Sequence, residues 1–580
     1  MTPIKKSLLL ALIGLFPIIG FSQTDKPLPN YATEDESRLI SEMNFRSAIP
    51  TPPPSSDVRT MAEWEEIEYL VITWEPAFPN ILRQIVAAAV EEAKVIIVTQ
   101  NETSVASYLS SNGIDLTNVI FMDEPWNTIW IRDYAGNTVY TDDVGERALV
   151  DWIYNRPRPL DDAIPSAHAS YIGSPIYITN SGTNDLVNTG GNFMSDGLGN
   201  GFASELILEE NEPGNPYGVS AKTEAQIDDI MLEYMGIENY IKMEMLDYDL
   251  IHHIDMHMKL LDEETLLVSK YPTGVADGPQ IEANIDYVLS NFNSPFGTPY
   301  KVEWIDAPPS VGGSYPDTGG YYRTYSNSIF INGTVLVPTY RPEVDGPALA
   351  KYQELLPGYN IVGIDVDNAG ENLIALFGAI HCITHSIGVE NPLWIVHQPV
   401  AEASEGLDVS FDAMIKHNSG VNAASVFWRE VGSGSYNELS MTPAGGDDWT
   451  ATLTIPSDVD IEYYIWAEAN SGKELTRPIV APEGYWTVDV STLSAAEFAE
   501  NNIIGPYPNP ANDLVNFRLN NIGGPVEISI HNIYGQRLYT NQVENSNGVI
   551  QLRLNPIWSG TLFVTFSGEF GTVQRKLIKQ

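Results

Sequence analysis

The chain has 580 residues, 76 of them acidic against 30 basic, for a formal net charge of −46. A field of that sign repels nucleic acid and anionic membranes, which excludes both as partners, and it draws a cationic substrate inward. With one cysteine in the whole sequence, Cys382, an internal disulfide and a cysteine-based metal site are excluded as well. The thiol is left as a buried filler, an intermolecular bridge or a nucleophile.

At the N-terminus, Lys5 and Lys6 precede an apolar run from Leu8 to Phe21 that is broken by Gly14, Pro17 and Gly20. The pattern predicts a signal peptide over 1–22, too short and too broken to span a bilayer. An exported chain with one thiol has forgone the disulfides its compartment permits. Cys382 is therefore either inert and buried or kept for chemistry. Residues 23–57, with Pro50, Pro52, Pro53 and Pro54, are expected to be a polar lead-in rather than a core segment.

Between 58 and 398 the texture is α/β. Strands are predicted at 69–73, 95–99, 119–121, around 252–268, at 302–304 and over 328–337; helices at 80–93, 102–111, 223–235 and 280–292. The recurrence of strand, helix and strand predicts repeated α/β units in one domain. Residues 399–492 contain short alternating runs separated by turn residues, which fits a β-sandwich. A linker over 493–504 leads to further short strands over 505–580, ending in the basic stretch Lys576 to Lys579.

Three segments are candidates to meet the cysteine run 378–385. In 251–259 apolar and polar residues alternate, so in a strand His253, Asp255, His257 and Lys259 share a face. A histidine and a carboxylate two residues apart suit proton transfer beside a held cation. A zinc site on His252, His253 and His257, or a solvated face, is also open from this pattern. In 126–134, Trp130 and the pair Arg132-Asp133 suggest either a structural ion pair or an aromatic-walled carboxylate for a planar cation. In 189–192, Gly190-Gly191-Asn192 permits close backbone approach to a ligand.

Trp130-Ile131-Arg132-Asp133, Gly190-Gly191-Asn192, His253-Ile254-Asp255 and His381-Cys382-Ile383-Thr384, in that order after Ala62-Glu63-Trp64-Glu65, resemble the Porphyromonas-type peptidylarginine deiminase and agmatine deiminase family over about 58–396. The resemblance implies a pentein-like α/β propeller of about five units around a pseudo-fivefold axis, with no metal or organic cofactor. It implies that Cys382 is the nucleophile, that His253 is the acid and base, and that Asp133 and Asp255 clamp the guanidinium. Trp130, Gly191, Asn192 and Asn327 fall to the pocket. Arg156 and Arg158 resemble the arginines with which the peptidyl branch holds a substrate carboxylate. Tyr134-Ala135-Gly136 and Leu376-Phe377-Gly378-Ala379 depart from the agmatine pattern.

Tyr507-Pro508-Asn509-Pro510, Ile533-Tyr534-Gly535-Gln536 and the basic end resemble a type IX secretion sorting domain, here a small β-sandwich over 505–580. The sandwich before it resembles an immunoglobulin-like module. The expectation is a secreted or surface-associated enzyme that turns C-terminal arginine into citrulline and engages the secretion machinery. An exported agmatine deiminase is the same-class alternative, and a non-catalytic surface-binding protein is the different-class one.

Overall fold

The computed structural model describes residues 26–42, 51–180, 182–491, 502–520, 524–543, 548–568 and 571–580. The signal peptide over 1–22 and most of the 493–504 linker lie outside the described residues. The chain divides into two compact units. One holds the chain up to Val396 with 414–423 and 466–485; the other holds 397–413, 424–465 and 486–580.

The first unit contains five sheets built on one plan. A central strand pairs antiparallel with a short strand on one side and parallel with a strand on the other, and a helix makes the parallel crossover. The central strands are Ile67–Thr73, Arg147–Tyr154, Asn200–Ser204, Thr265–Lys270 and Thr334–Thr339. Their short antiparallel partners are His385–Gly388, Asn137–Thr141, Met194–Ser195, Met258–Leu260 and Ile329–Ile331. The first central strand thus takes its short partner from the far end of the domain, 385–388, so the start and end of the repeat set meet in one sheet. Crossover helices include Pro79–Ala89, Ile164–Ile172, Glu224–Met235, Gly278–Asn291 and Pro342–Leu355.

Several sequence expectations shift in detail. The helix expected over 80–93 ends at Ala89, because Asn118 and Asn332 donate their amides to the carbonyls of Val90 and Glu92 at 2.9 and 2.8 Å and turn the chain towards the next strand. The helix expected over 280–292 runs Gly278–Asn291. Glu102–Ser111 agrees with its expected bounds, and Thr223 caps Glu224–Met235 through a reciprocal hydrogen-bond pair with Gln226.

The strand expected from His252 is the main correction. Ile254–Met256 is a 3-10 turn, and the strand starts only at Met258. The apolar–polar alternation there arises from a turn whose alternate side chains face different parts of the interior. The lead-in also differs from expectation. Residues 26–42 are packed on the domain, and Asn30 is fully buried.

The second unit contains further strands, including Asp448–Thr454 in one sheet and Glu402–Ser404 and Trp486–Ser491 in another. Towards the C-terminus, Leu514–Leu519 pairs with Ile503–Tyr507 and Gly548–Arg553, while Val526–Asn532 lies between Arg537–Val543 and Gly560–Gly568. Val515, Phe517, Ile528, Phe566 and Leu577 form one buried apolar cluster of these strands. Among the described residues no helix is long and apolar enough to cross a membrane.

His168, on Ile164–Ile172, gives the first unit an acid-sensitive point. Burial pushes its pKa down from 6.5 to about 4. A depressed folded-state value means the unfolded chain takes up the proton first. The stabilisation is therefore full above about pH 6.5 and is lost as pH falls towards 4. At 1.36 kcal/mol per pH unit, the loss amounts to roughly 3 kcal/mol. Urea unfolding followed by tryptophan fluorescence at pH 7 and 4.5 should show His168→Gln losing about 2 kcal/mol less than the parent over that interval. Equal losses in both chains would show that His168 is not the titrating group.

Candidate active site

The five short antiparallel strands share a further property: each is preceded by a turn carrying a candidate residue. Asp133 lies on Ile131–Tyr134 ahead of Asn137–Thr141, and Gly191 on Gly190–Asn192 ahead of Met194–Ser195. Asp255 lies on Ile254–Met256 ahead of Met258–Leu260, and Asn327 just ahead of Ile329–Ile331. Cys382 lies on His381–Ile383 ahead of His385–Gly388. Repetition of one backbone plan brings five distant points of sequence to equivalent places.

Cys382 is fully buried. Its Sγ lies 3.6 Å from Asp255 Oδ2, and Asn327 Nδ2 donates to it at 3.3 Å. Asn327 fixes this turn from three sides. It donates to the Asp255 carbonyl at 3.1 Å, accepts from the His381 N–H at 3.0 Å through Oδ1, and takes the same N–H on its own carbonyl at 3.2 Å.

Asp133 approaches from the opposite motif, with His253 Nδ1 3.5 Å from its Oδ1. Both Asp133 oxygens, Asp255 Oδ1 and both His253 ring nitrogens are buried with no hydrogen-bond partner. Such unmet acceptors are rare in native interiors and mark a functional surface.

The glycines are required sterically. A Cβ on Gly191 would collide with His253 Nδ1 and lie 2.8 Å from Asp133 Oδ1. A Cβ on Gly378 would collide with the Trp130 ring and lie 3.1 Å from Cys382 Cβ. Only glycine lets these turns close on one another.

The electrostatics follow from this crowding. Burial, then the neighbouring Asp255 and Asp133 carboxylates, push the Cys382 thiol well above the usual cysteine range. Burial raises the Asp133 pKa too, with His253 and Arg156 acting against it and Asp255 with it.

Below this centre, a chain of polar contacts ties the turns together. His381 Nδ1 meets Asp255 Oδ2 at 2.8 Å, and His381 Nε2 meets Glu63 Oε2 at 2.7 Å. Glu63 Oε1 accepts from Lys259, which also donates to the Ser328 carbonyl at 2.8 Å. Burial pushes the Glu63 pKa up, yet Lys259, His381 and Arg132 hold it well below the usual carboxylate range.

The other sequence candidates fall into two groups. Trp130 is fully buried and walls the Cys382 turn through Gly378. Asn192 is turned to Ser204, accepting from its N–H at 2.8 Å and donating to its carbonyl at 3.4 Å, so its amide is engaged in holding the Gly-Gly turn. Arg156 and Arg158 are buried and bonded to the lead-in: Arg156 Nε to the Asn30 carbonyl at 3.0 Å, and Arg158 Nε to Glu36 Oε1 at 2.8 Å. His257 Nε2 is paired with Asp249 at 3.1 Å, and among the described residues no cluster of three or more His, Cys, Asp or Glu could hold a metal. Glu63, His381 and Lys259 stand in the quoted sequence segments, but the sequence alone assigned none of them a part in the site. The Ala62-Glu63-Trp64-Glu65 motif and the position of His381 beside Cys382 were the available signals.

The family model for Porphyromonas-type peptidyl-arginine deiminase matches residues 59–387, and that for a secretion-system C-terminal sorting domain matches residues 506–580. The chain therefore belongs to the peptidyl-arginine deiminase family, whose members are guanidino-hydrolysing enzymes with a catalytic cysteine. Its sorting domain marks it for type IX secretion to the outer-membrane surface or the medium.

Several similar proteins carry the name "putative agmatine deiminase", two of which illustrate the likeness. One, from Shewanella baltica, is 27% identical over 385 residues, covering 60% of this chain and 99% of its own length. The other, an X-ray structure, is 20% identical, covering 59% of this chain and 100% of its own, with a TM-score of 0.50. The agmatine deiminase structure from Enterococcus faecalis is 20% identical, covering 58% of this chain and 99% of its own, with a TM-score of 0.48. Membership of a catalytic family replaces the non-catalytic alternative.

Lys259, 2% exposed, depends on Glu63 as its carboxylate partner. Removing that partner leaves a buried cation uncompensated, at about 3 kcal/mol or more. Glu63→Ala should lose stability by that amount in urea unfolding, and Glu63→Gln distinctly less. Parent-like stability in Glu63→Ala would show that the chain of polar contacts does not tie the turns together.

Proposed function

We propose that the protein is a secreted peptidylarginine deiminase that hydrolyses the guanidinium of C-terminal arginine to citrulline through a covalent adduct on Cys382. The observation that carries this reading is the pairing of a buried thiol with two carboxylates whose oxygens Asp133 Oδ1, Asp133 Oδ2 and Asp255 Oδ1 lack partners. A guanidinium brings N–H donors in a planar fork and one positive charge. It meets the unsatisfied acceptors and reverses the field that raises the thiol pKa.

The roles follow from position. With the cation bound between Asp133 and Asp255, the Cys382 proton passes to His253 and the thiolate attacks the guanidino carbon. His253 then protonates the departing nitrogen, which leaves as ammonia and leaves behind a thiouronium. The same histidine next takes a proton from water as it adds to that carbon. The C–S bond breaks, the thiol is restored, and the ureido product keeps one terminal nitrogen. Trp130 excludes water from one side. Gly191 admits the His253 ring to Asp133, Asn192 holds the Gly-Gly turn, and Asn327 orients the thiol. No metal or organic cofactor enters this scheme.

We infer the surrounding architecture in the same way. The five sheets of 58–398 support a pentein-like propeller with its site at the turns before the short strands. The strands of 399–492 support an immunoglobulin-like sandwich, and those of 505–580 a sorting sandwich joined through the 493–504 linker. Agmatine is the second substrate reading, favoured by the name that the Shewanella baltica relative carries. The carboxylate of Glu36 on Arg158 favours a substrate with a carboxylate of its own.

A ureido-product assay on a peptide ending in arginine, an internal-arginine peptide, free arginine and agmatine separates these readings. The arginine-ended peptide should give the highest kcat/KM, and Cys382→Ala should abolish turnover on all four with the fold intact. Preference for agmatine would move the assignment to the second reading. Retained turnover in Cys382→Ala would remove the mechanism.

Replacing Arg156 and Arg158 together with Ala should impair arginine-ended peptides at least about a hundredfold relative to their amidated forms, since each charge-assisted contact is worth roughly 1.5–3 kcal/mol. Turnover of agmatine, which has no carboxylate, should not fall. Equal losses on every substrate would make the pair structural.

A further inference from the structure

The segment 26–42 bonds to the same side chains that the proposed reaction assigns to its substrate, and this inference rests on that reading. Leu28 accepts from Trp130 Nε1 at 3.0 Å, Pro29 from Arg158 Nη2 at 2.7 Å, and Asn30 from Arg156 Nε at 3.0 Å, all through backbone carbonyls. The Asn30 N–H donates to the Leu376 carbonyl at 2.9 Å, and the Tyr31 ring meets Phe377 edge-on at 5.2 Å, just ahead of the cysteine turn. A short helix, Glu34–Ile40, then delivers Glu36, whose carboxylate meets Arg158 Nε at 2.8 Å and Nη2 at 3.3 Å. Burial raises the Glu36 pKa, but the hydrogen bond and charge of Arg158 outweigh it and hold the group ionised below its usual range.

Three observations distinguish this contact from ordinary packing. Cys382, His253, Asp133 and Asp255 are each no more than 4% exposed, and the segment bonds to Trp130 and to the Leu376 carbonyl, which flank the cysteine turn. Asn30 is fully buried, yet neither polar atom of its side chain has a hydrogen-bond partner. A well-fitted core segment satisfies its buried amides. The segment also bridges a hollow of about 480 Å³, lined in part by Leu28, Thr33, Glu36, Trp126, Asn127 and Arg158. It is held by a few charged and backbone contacts over a space it does not fill.

We propose that residues 26–42 are a built-in occupant of the substrate entrance, with Glu36 standing where a substrate carboxylate would lie, and that the enzyme is latent until this segment is displaced. The segment and an arginine-ended peptide then compete for Arg158. Residence of Glu36 on that side chain sets the fraction of chains open to substrate.

The test uses the full exported chain and its single cysteine. Glu36→Arg places a cation against Arg158 and should free the segment. Labelling of Cys382 by iodoacetamide, read as intact mass, should accelerate at least about tenfold, and kcat/KM for an arginine-ended peptide should rise in parallel. A synthetic peptide of residues 26–42 should return the variant to slow labelling, while the same peptide carrying Glu36→Arg should not. Tyr31→Ala, which removes only the ring on Phe377, is the second variant and should shift both readouts in the same direction. Parent-like labelling and turnover in both variants would overturn the proposal, as would failure of the added peptide to protect. Faster labelling without deimination of any guanidino substrate would leave the occupant in place and sink the functional reading instead.

Discussion

Two buried carboxylates, Asp133 and Asp255, face one buried thiol, and three of their four oxygens have no hydrogen-bond partner among the described residues. Burial first, and then the neighbouring carboxylate charge, raises the free energy of ionising Cys382 and Asp133, as their upward pKa shifts record. A substrate that is itself a planar cation meets those oxygens. Recognition and activation then become one event, because the charge that satisfies the carboxylates also makes the thiolate accessible. The strongly acidic chain adds to this by drawing cations towards the protein.

Holding such a centre together requires compensation elsewhere. The chain of polar contacts from Lys259 through Glu63 and His381 to Asp255 supplies it, linking three turns that are far apart in sequence. Asn327 adds backbone bonds to two of them. Each turn precedes a short strand of a repeated sheet, so backbone repetition sets the positions and polar bonds set the fine geometry. Close approach then depends on Gly191 and Gly378, where any side chain would collide with His253 or Trp130.

The α/β character and four of the long helices were legible because amphipathic periodicity survives wherever one face is buried. Arg147–Tyr154 was not, since all eight residues are buried and no alternation remains. Around His253 alternation was present but misleading, because a 3-10 turn produced it. Within the candidate site, Cys382, Asp133, His253 and Asp255 were legible from residue type, order and family resemblance. Glu63 and Lys259 were not, because their pairing spans 196 residues. The lead-in reads as a polar, proline-rich tail, and only its contact with Arg158, 122 residues away, gives Glu36 a role.

The most direct measurement is the mass of the intact protein after rapid acid quench during turnover of an arginine-ended peptide, followed by mapping of the modified site. The account requires a transient adduct equal to the peptide less ammonia, carried on Cys382 and decaying as ureido product appears. Ureido product formed with no adduct on Cys382 at any quench time, or an adduct mapped to another residue, would contradict it.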